Sequence, residues 1–294
     1  METLQDIQHR IRGTEDLHAV VRTMKSLAAV NIRQYEKAML SLGDYRQSVE
    51  LGLRGMLRLR PQLPRTPEPR RAVVLILGSD QGMAGRFNEV LLDFAEELLR
   101  EEPQPEAGWV FWAAGAKMIG GVEDRFRPPR EAFPLPASSH QITATVQEVL
   151  LRFEAACRKG GETRLLLLHN EPNPGAGYRR CQAILHPHDR RWLEAIGGQT
   201  WPGRALPAHT LPAERLLTAL LREHLFISLF EAFAASLAAE NAARLAAMQQ
   251  AEKKIEEMTL DLTARFNHLR QTQITEELLD VISGFEALSA YRVG

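Results

Sequence analysis

Cysteine is scarce in this chain, with two residues, Cys157 and Cys181, among 294. Two thiols cannot build a disulfide framework, and they form no CxxC pair; they read as reduced, buried residues of a cytoplasmic protein. Long apolar runs are also missing, since no stretch approaches the roughly 18 residues that a membrane-crossing helix needs. The opening METLQDIQHRIRG lacks the apolar core of a signal peptide and is already patterned as a helix. Charge of one sign is not in excess either. Thirty-six basic and 37 acidic residues leave a net charge of −1, which favours neither nucleic acid nor an anionic membrane surface. The most informative absence is local. From Ala213 to Ser283 there is no glycine and no proline, the residues that cost about 1 and 3 kcal/mol in a helix interior.

Good helix formers fill that run, and its apolar residues Leu237, Leu245, Met248, Ala251, Ile255, Met258, Leu262, Phe266 and Leu269 step mostly by three and four. Such spacing keeps one stripe on one face, as a coiled-coil seam requires. At 1.5 Å per residue, a helix from about Leu225 to Leu288 would span roughly 95 Å, wider than a small domain, so it requires a partner. The other end of the chain supplies one. Leu4, Ile7, Ile11, Leu17, Val21, Met24, Ala28, Ile32, Tyr35, Met39 and Leu42 repeat the pattern with one wider gap at Thr14. A helix over residues 3 to about 60 exceeds the usual 8–20 of globular proteins. The simplest arrangement winds the two around each other, antiparallel, with Leu17, Val21, Met24 and Ala28 against the C-terminal helix.

Between them the pattern changes. Prolines in PQLPRTPEPR mark a boundary, and RAVVLIL (71–77) reads as a buried strand. GSDQGMAGRFN then precedes the helical EVLLDFAEELLR. WVFWAA (109–114), TRLLLLH (163–169) and YRRCQAIL (178–185) supply further strands. Residues 126–137 read as proline-broken loop, NEPNPGAG as a turn, and the stripe Ile142, Val146, Val149, Leu150, Phe153, Cys157 as a helix. Strands alternating with helices imply a mostly parallel sheet covered on both faces. The expected fold class is therefore α/β: a long antiparallel two-helix coiled coil from the terminal segments, with an inserted Rossmann-like domain. The segments are 1–60 for the N-terminal helix, 70–198 for the inserted domain and 212–294 for the C-terminal helix.

Catalytic chemistry is sparse. GSDQGMAG follows a strand and precedes a helix, yet it has neither the GxGxxG spacing nor a phosphate-reaching lysine. Gly78, Gly82 and Gly85 are accounted for by a tight turn using positive φ. His186, His188 and Asp189 in HPHDRRW could ligate a metal, but no second cluster completes a shell, and a solvated turn explains them. No Ser/His/Asp arrangement can be nominated. The expectation is no catalytic residue, no cofactor and no metal.

Several stretches resemble a known family, the gamma subunit of F-type ATP synthases. Ile274-Thr275-Glu276-Glu277 through Asp280 and Gly284 fits its I-T-x-E signature, with Phe285 where the family has alanine. Asn267, Arg270 and Gln271 stand at its N-x-x-R-Q, and Glu240, Ala243, Arg244, Ala247, Met248 and Ala251 resemble its E-x-x-A-R-x-x-A-M-x-x-A run. Met24, Ala28 and Ala29 match its N-terminal helix, where Asn31 replaces the usual lysine. SDQGMAG with Asn88 resembles its S-D-R-G-L-C-G-x-x-N, with arginine and cysteine changed. AEKKIEE continues as helix where the family usually breaks. These departures suggest a divergent branch, similar to the alternative, sodium-translocating ATPases found beside the usual enzyme in some bacteria. Both branches stay open.

The resemblance implies a non-catalytic rotor shaft, one copy per complex, inside a hexamer of alpha and beta subunits. Its further partners would be the epsilon subunit and the membrane c-ring, with no nucleic acid, peripheral at the cytoplasmic face of a bacterial plasma membrane. It also implies subunit-interface roles for Arg244, Arg270, Gln271 and Thr275 against the moving parts of beta, and for Met24 against beta's acidic lever. Two other classes compete: a free-standing coiled-coil scaffold, and a nucleotide-binding enzyme using the inserted domain.

Overall fold

A computed structural model of the chain describes residues 3–59, 71–101, 108–160, 163–173, 177–186, 190–205 and 208–291. Helices α1 (Leu4–Ser41) and α2 (Gly43–Leu59) come first, where the periodicity suggested one helix; the break falls beside Gly43. Then follow β1 (Arg71–Leu77), α3 (Phe87–Glu101), β2 (Trp109–Ala114), α4 (Ala116–Arg125), β3 (Glu131–Phe133), α5 (Ile142–Gly160), β4 (Thr163–Asn173), β5 (Gly177–His186) and α6 (Arg190–Gly198). The last helix, α7, runs from Ala213 to Tyr291, starting earlier and ending later than its seam suggested and passing through Gly284 without a break. Packing divides the chain into two compact units: Met1–Leu27 with Ala247–Gly294, and Ala28–Ala246.

In the larger unit the strands lie in the order β3-β2-β1-β4-β5. β1 is central and parallel to both β2 and β4. β5 runs antiparallel to β4, so the last strand departs from the parallel expectation. The reason is the connection. A hairpin as short as the one after Asn173 can only reverse the chain, whereas a parallel neighbour needs a crossover of a dozen or more residues. β3 lies inside the stretch read as loop; its three residues are too few for periodicity to reveal. The prolines of 61–70 and the tip of NEPNPGAG lie outside the described residues.

β1 explains the layers. Its even positions Ala72, Val74 and Ile76 join Leu91, Leu92 and Ala95 of α3 and Met118 and Val122 of α4 in one core. The odd positions Val73, Leu75 and Leu77 join α5 and the segment of α7 around Leu229 and Phe233 in another. A strand buried on both faces reads as a continuous apolar run, as RAVVLIL does. A third cluster holds Val49, Leu53 and Leu57 of α2 against Ile196 of α6 and Ile227 of α7.

In the smaller unit, the inward positions of α1 are Leu4, Ile7, Ile11, Thr14, His18, Val21 and Lys25. Those of α7 are Met248, Glu252, Ile255, Thr259, Leu262, Phe266 and Leu269, all buried or half-buried. Both sets alternate steps of three and four without a gap, which is the heptad repeat of a coiled coil. Thr14, only 5% exposed, fills the apparent gap and meets Thr259 through a 3.1 Å hydroxyl contact. Lys25 pairs with Glu252, and His18 stands 3.9 Å from carboxylate oxygens of both Glu252 and Glu256. Partner numbers on α7 fall as those on α1 rise, so the pairing is antiparallel. Leu17 is 57% and Met258 47% exposed. Both were expected in the seam. Each lies one residue from the true inward position, which a polar side chain occupies.

This corrected seam predicts that Val21→Ala destabilises by about 1–2 kcal/mol through the loss of buried methyl groups. Leu17→Ala, although it removes more carbon, should change stability by less than about 0.5 kcal/mol, as surface substitutions do. Urea unfolding of the two variants measures the contrast.

Candidate functional site

The segment of α7 from Ala232 to Asn241 is buried at every position. A helix enclosed on all sides must be apolar or small all round, and AFAASLAAEN answers that requirement with five alanines and a serine. Ala239 and Ala243 pack on Ala84 and Phe87 below the glycine loop. The Ser236 hydroxyl reaches the carbonyl of Leu77, at the end of β1, at 3.4 Å.

Glu240 is the one carboxylate in this buried run. Arg244, one turn on, donates to its Oε1 at 2.5 Å and to Asn241 Oδ1 at 3.4 Å. Asn241 in turn donates to the Leu237 carbonyl at 2.8 Å and accepts from Asn31 of α1 at 3.3 Å. Burial is the main force on Glu240 and raises its carboxyl pKa above 4.5; Arg244 offsets part of this, and the Asp80 charge adds to the rise. Burial likewise raises the Tyr35 phenol, with Glu240 contributing. Asn31 and Glu240 escaped sequence reasoning as a pair. The signal was present, since a charge and two amides amid alanines at helical spacing imply a satisfied polar layer.

The glycine loop is bound to itself. Ser79 N donates to Asn88 Oδ1 at 3.0 Å, and Asn88 Nδ2 returns a bond to Ser79 Oγ at 2.7 Å. Asp80 Oδ1 accepts the backbone N–H of Ala116 at 2.8 Å, so a carboxylate of the chain already caps the start of α4. That N-terminus is the place where a phosphate would bind. Positive φ occurs at Gly85 and at Met83, not at Gly78 or Gly82. Gly78 serves close approach instead, because a Cβ there would lie 2.4 Å from the Met118 Cβ. Gly115 needs both properties: its φ is 101°, and a Cβ would sit 2.8 Å from the Ser79 backbone.

The residues expected at a subunit interface fall into distinct settings. Arg244 lies in the larger unit, its side chain 16% exposed and engaged as described. Met24, in the smaller unit, is half-buried beside the seam. Arg270, Gln271 and Thr275 occupy successive turns of α7, all three exposed, within about 8 Å along the axis. The Thr275 hydroxyl donates back to the Gln271 carbonyl at 2.9 Å. Beyond Arg270 every described side chain is exposed, including Ile274, Leu278, Leu279, Val281 and Ile282 at 48–70%. Of the HPHDRRW group, His188 and Asp189 lie outside the described residues. Both cysteines are half-buried rather than buried, and neither forms a disulfide. Among the described residues no helix is long and apolar enough to cross a membrane.

A pair of long antiparallel helices carrying an α/β insertion, with its polar groups spent on holding chain to chain, defines a structural class rather than a catalytic one. The chain belongs to the ATP synthase family, whose model matches residues 3–288. It is similar to the ATP synthase gamma chain of Anaeromyxobacter dehalogenans (strain 2CP-C), 27% identical over 301 residues, 98% of this chain and 100% of that one. It also resembles the ATP synthase gamma chain of Thermobifida fusca (strain YX), 27% identical over 307 residues, 99% of this chain and 98% of that one. Its fold is similar to that of a chain in the Euglena gracilis mitochondrial ATP synthase (OSCP/F1/c-ring, rotational state 3). There the TM-score is 0.65 at 18% identity, over 98% of this chain and 95% of that one. A chain of the Tetrahymena thermophila mitochondrial central stalk and c-ring gives a TM-score of 0.58 at 18% identity, over 79% of this chain and 99% of that one.

Two outcomes follow from the site. A carboxyl whose native pKa is raised binds its proton more tightly in the folded state. Its stabilising contribution is therefore full below 4.5 and is lost as pH rises through the raised value. Glu240→Gln should flatten that decline in urea-midpoint measurements against pH. With Asp80 already at the start of α4, calorimetry of the isolated chain should find no micromolar nucleotide site.

Proposed function

We propose that this chain is the central shaft, the gamma-type subunit, of a rotary ATP synthase. The observation that carries the reading is the uncovered apolar end of α7. Ile274, Leu278 and Ile282 step by fours, and with Leu279 and Val281 they leave large apolar side chains in water after the seam has ended. A stripe of that kind needs cover from another chain. An apolar sleeve suits a turning part, because hydrophobic contact is non-directional and does not have to break specific bonds at each step.

In this reading the alpha and beta subunits supply the sleeve. The epsilon subunit and the c-ring hold the other end, and there is one copy of the shaft per complex. The complex lies at the cytoplasmic face of a bacterial plasma membrane, with this chain peripheral to it. The ATP chemistry belongs to beta. The shaft acts by being asymmetric: each orientation presents different groups to the three beta subunits and so biases which site is open, which is allosteric coupling by differential contact. Arg270, Gln271 and Thr275, set just before the apolar stripe, are the polar groups that report orientation. Arg244, held by Glu240, presents a fixed guanidinium, and Met24 offers a half-buried apolar contact.

Changing Arg270 and Gln271 together to alanine tests the assignment. Both residues are exposed, so the chain should stay folded, each change altering stability by less than about 0.5 kcal/mol. The complex reconstituted with alpha and beta should turn over ATP more slowly, since charged hydrogen bonds contribute about 1.5–3 kcal/mol each. Normal assembly with unchanged turnover would remove these residues from the coupling. A symmetric dimer of the isolated chain, with no uptake into an alpha–beta complex, would overturn the shaft reading in favour of a scaffold.

A further inference from the structure

The β4–β5 pair carries a side-chain cluster that the shaft reading does not use. His169 and Cys181 are directly opposed across the two strands, and Glu171 faces Arg179 one pair further on. Alternate residues of a strand share a face, so all four side chains project to one side. That side borders a cavity of about 600 Å³, whose lining includes Leu167, His169, Glu171, Ala183 and Glu231. The ligating atoms of His169, Glu171 and Cys181 lie within 4.8 Å of one another.

His169 is 5% exposed. One ring nitrogen, Nε2, stands 3.3 Å from Glu171 Oε1, while Nδ1 is buried with no hydrogen-bond partner. A dry, unpaired ring nitrogen is costly unless something takes it up. The Glu171 carboxylate is held from behind. Arg179 donates to Oε2 through Nε and Nη2, at 3.1 and 2.8 Å, which leaves Oε1 turned toward the histidine. An outer group that fixes a carboxylate in this way is what metal ligands commonly have behind them.

We propose that His169, Glu171 and Cys181 form a binding site for a thiophilic divalent cation, Zn²⁺, with water from the cavity as the fourth ligand. The donor set decides the ion. Thiolate with imidazole and a single carboxylate favours zinc over magnesium or calcium, which take oxygen ligands. Tetrahedral bonds of 2.0–2.3 Å place ligand atoms about 3.3–3.8 Å apart. The cluster therefore has to tighten by roughly an ångström at its widest, which side-chain rotation on adjacent strands supplies. Binding converts the Cys181 thiol to a zinc thiolate and releases its proton to the buffer, with no change of oxidation state.

Metal-free full-length chain titrated with Co²⁺, followed by optical absorption, tests the site. One equivalent should bind with a thiolate-to-cobalt charge-transfer band, and Zn²⁺ should displace it. Cys181→Ser should abolish the band and Cys157→Ser should keep it, with far-UV circular dichroism confirming that both variants are folded. Glu171→Gln should weaken Co²⁺ binding at least tenfold while the band persists at saturation. Zn²⁺ should also raise the Tm of the unsubstituted chain but not of the Cys181→Ser variant. Absence of the band, or a band unchanged in Cys181→Ser, would overturn the proposal.

Discussion

The enclosure of one helical segment, residues 232–241 of α7, is the constraint on which the larger unit depends. Ten consecutive residues are buried around the whole circumference, so this segment is less a covering layer than a core element in its own right. It can be so because its side chains are short. Alanine loses almost no side-chain entropy on burial and lets neighbouring backbone come close. Phe233 and Leu237 fill what the alanines leave, against the odd face of β1 and α5. Enlarging any of these alanines would have to push apart β1, the glycine loop or α1, and interiors packed to crystal-like density do not yield cheaply.

The same segment explains why the glycine loop is built as it is. With the loop seated on Ala239 and Ala243 through Ala84 and Phe87, its backbone must be held without outside help. Ser79, Asn88 and Asp80 provide that hold by bonding to each other and to the start of α4. A loop whose polar side chains are committed to the chain in this way acts as a strut. Glu240 follows the same logic. A charge is tolerated in the enclosed run because Arg244 lies one turn away, and the Asn241–Asn31 contact ties the pair's neighbourhood to α1.

The paired ends are built differently. Their seam is not apolar throughout: Thr14, His18 and Lys25 face Thr259 and Glu252 at positions where a maximally stable coiled coil would carry leucine or isoleucine. Polar groups at inward positions give up stability and specify register, since only one alignment satisfies them. For a part that must carry torque without slipping, fixed register matters more than the last increment of stability.

Sequence alone determined the two long helices, the α/β insertion and the central strand. Each rests on a local pattern: 71 residues of α7 without glycine or proline from Ala213 to Ser283, a three–four repeat, and the unbroken apolar run of β1. Arg270, Gln271 and Thr275 stand in short contiguous words of the chain, so a motif could single them out, while their interface roles rest on the resemblance alone. What local pattern could not determine was decided by tertiary packing. Thr14 and Thr259 entered the seam because each satisfies the other across the helix pair, while Leu17 and Met258, more apolar, were left outside one residue away. β5 reversed its direction because the hairpin was too short for a crossover. His169, Glu171 and Cys181 became neighbours only through strand register, and Glu240 became a buried charge only when the sheet, α1 and the glycine loop closed around α7. Apolar periodicity records how much surface a residue would hide, but not which polar partner waits for it on the other side.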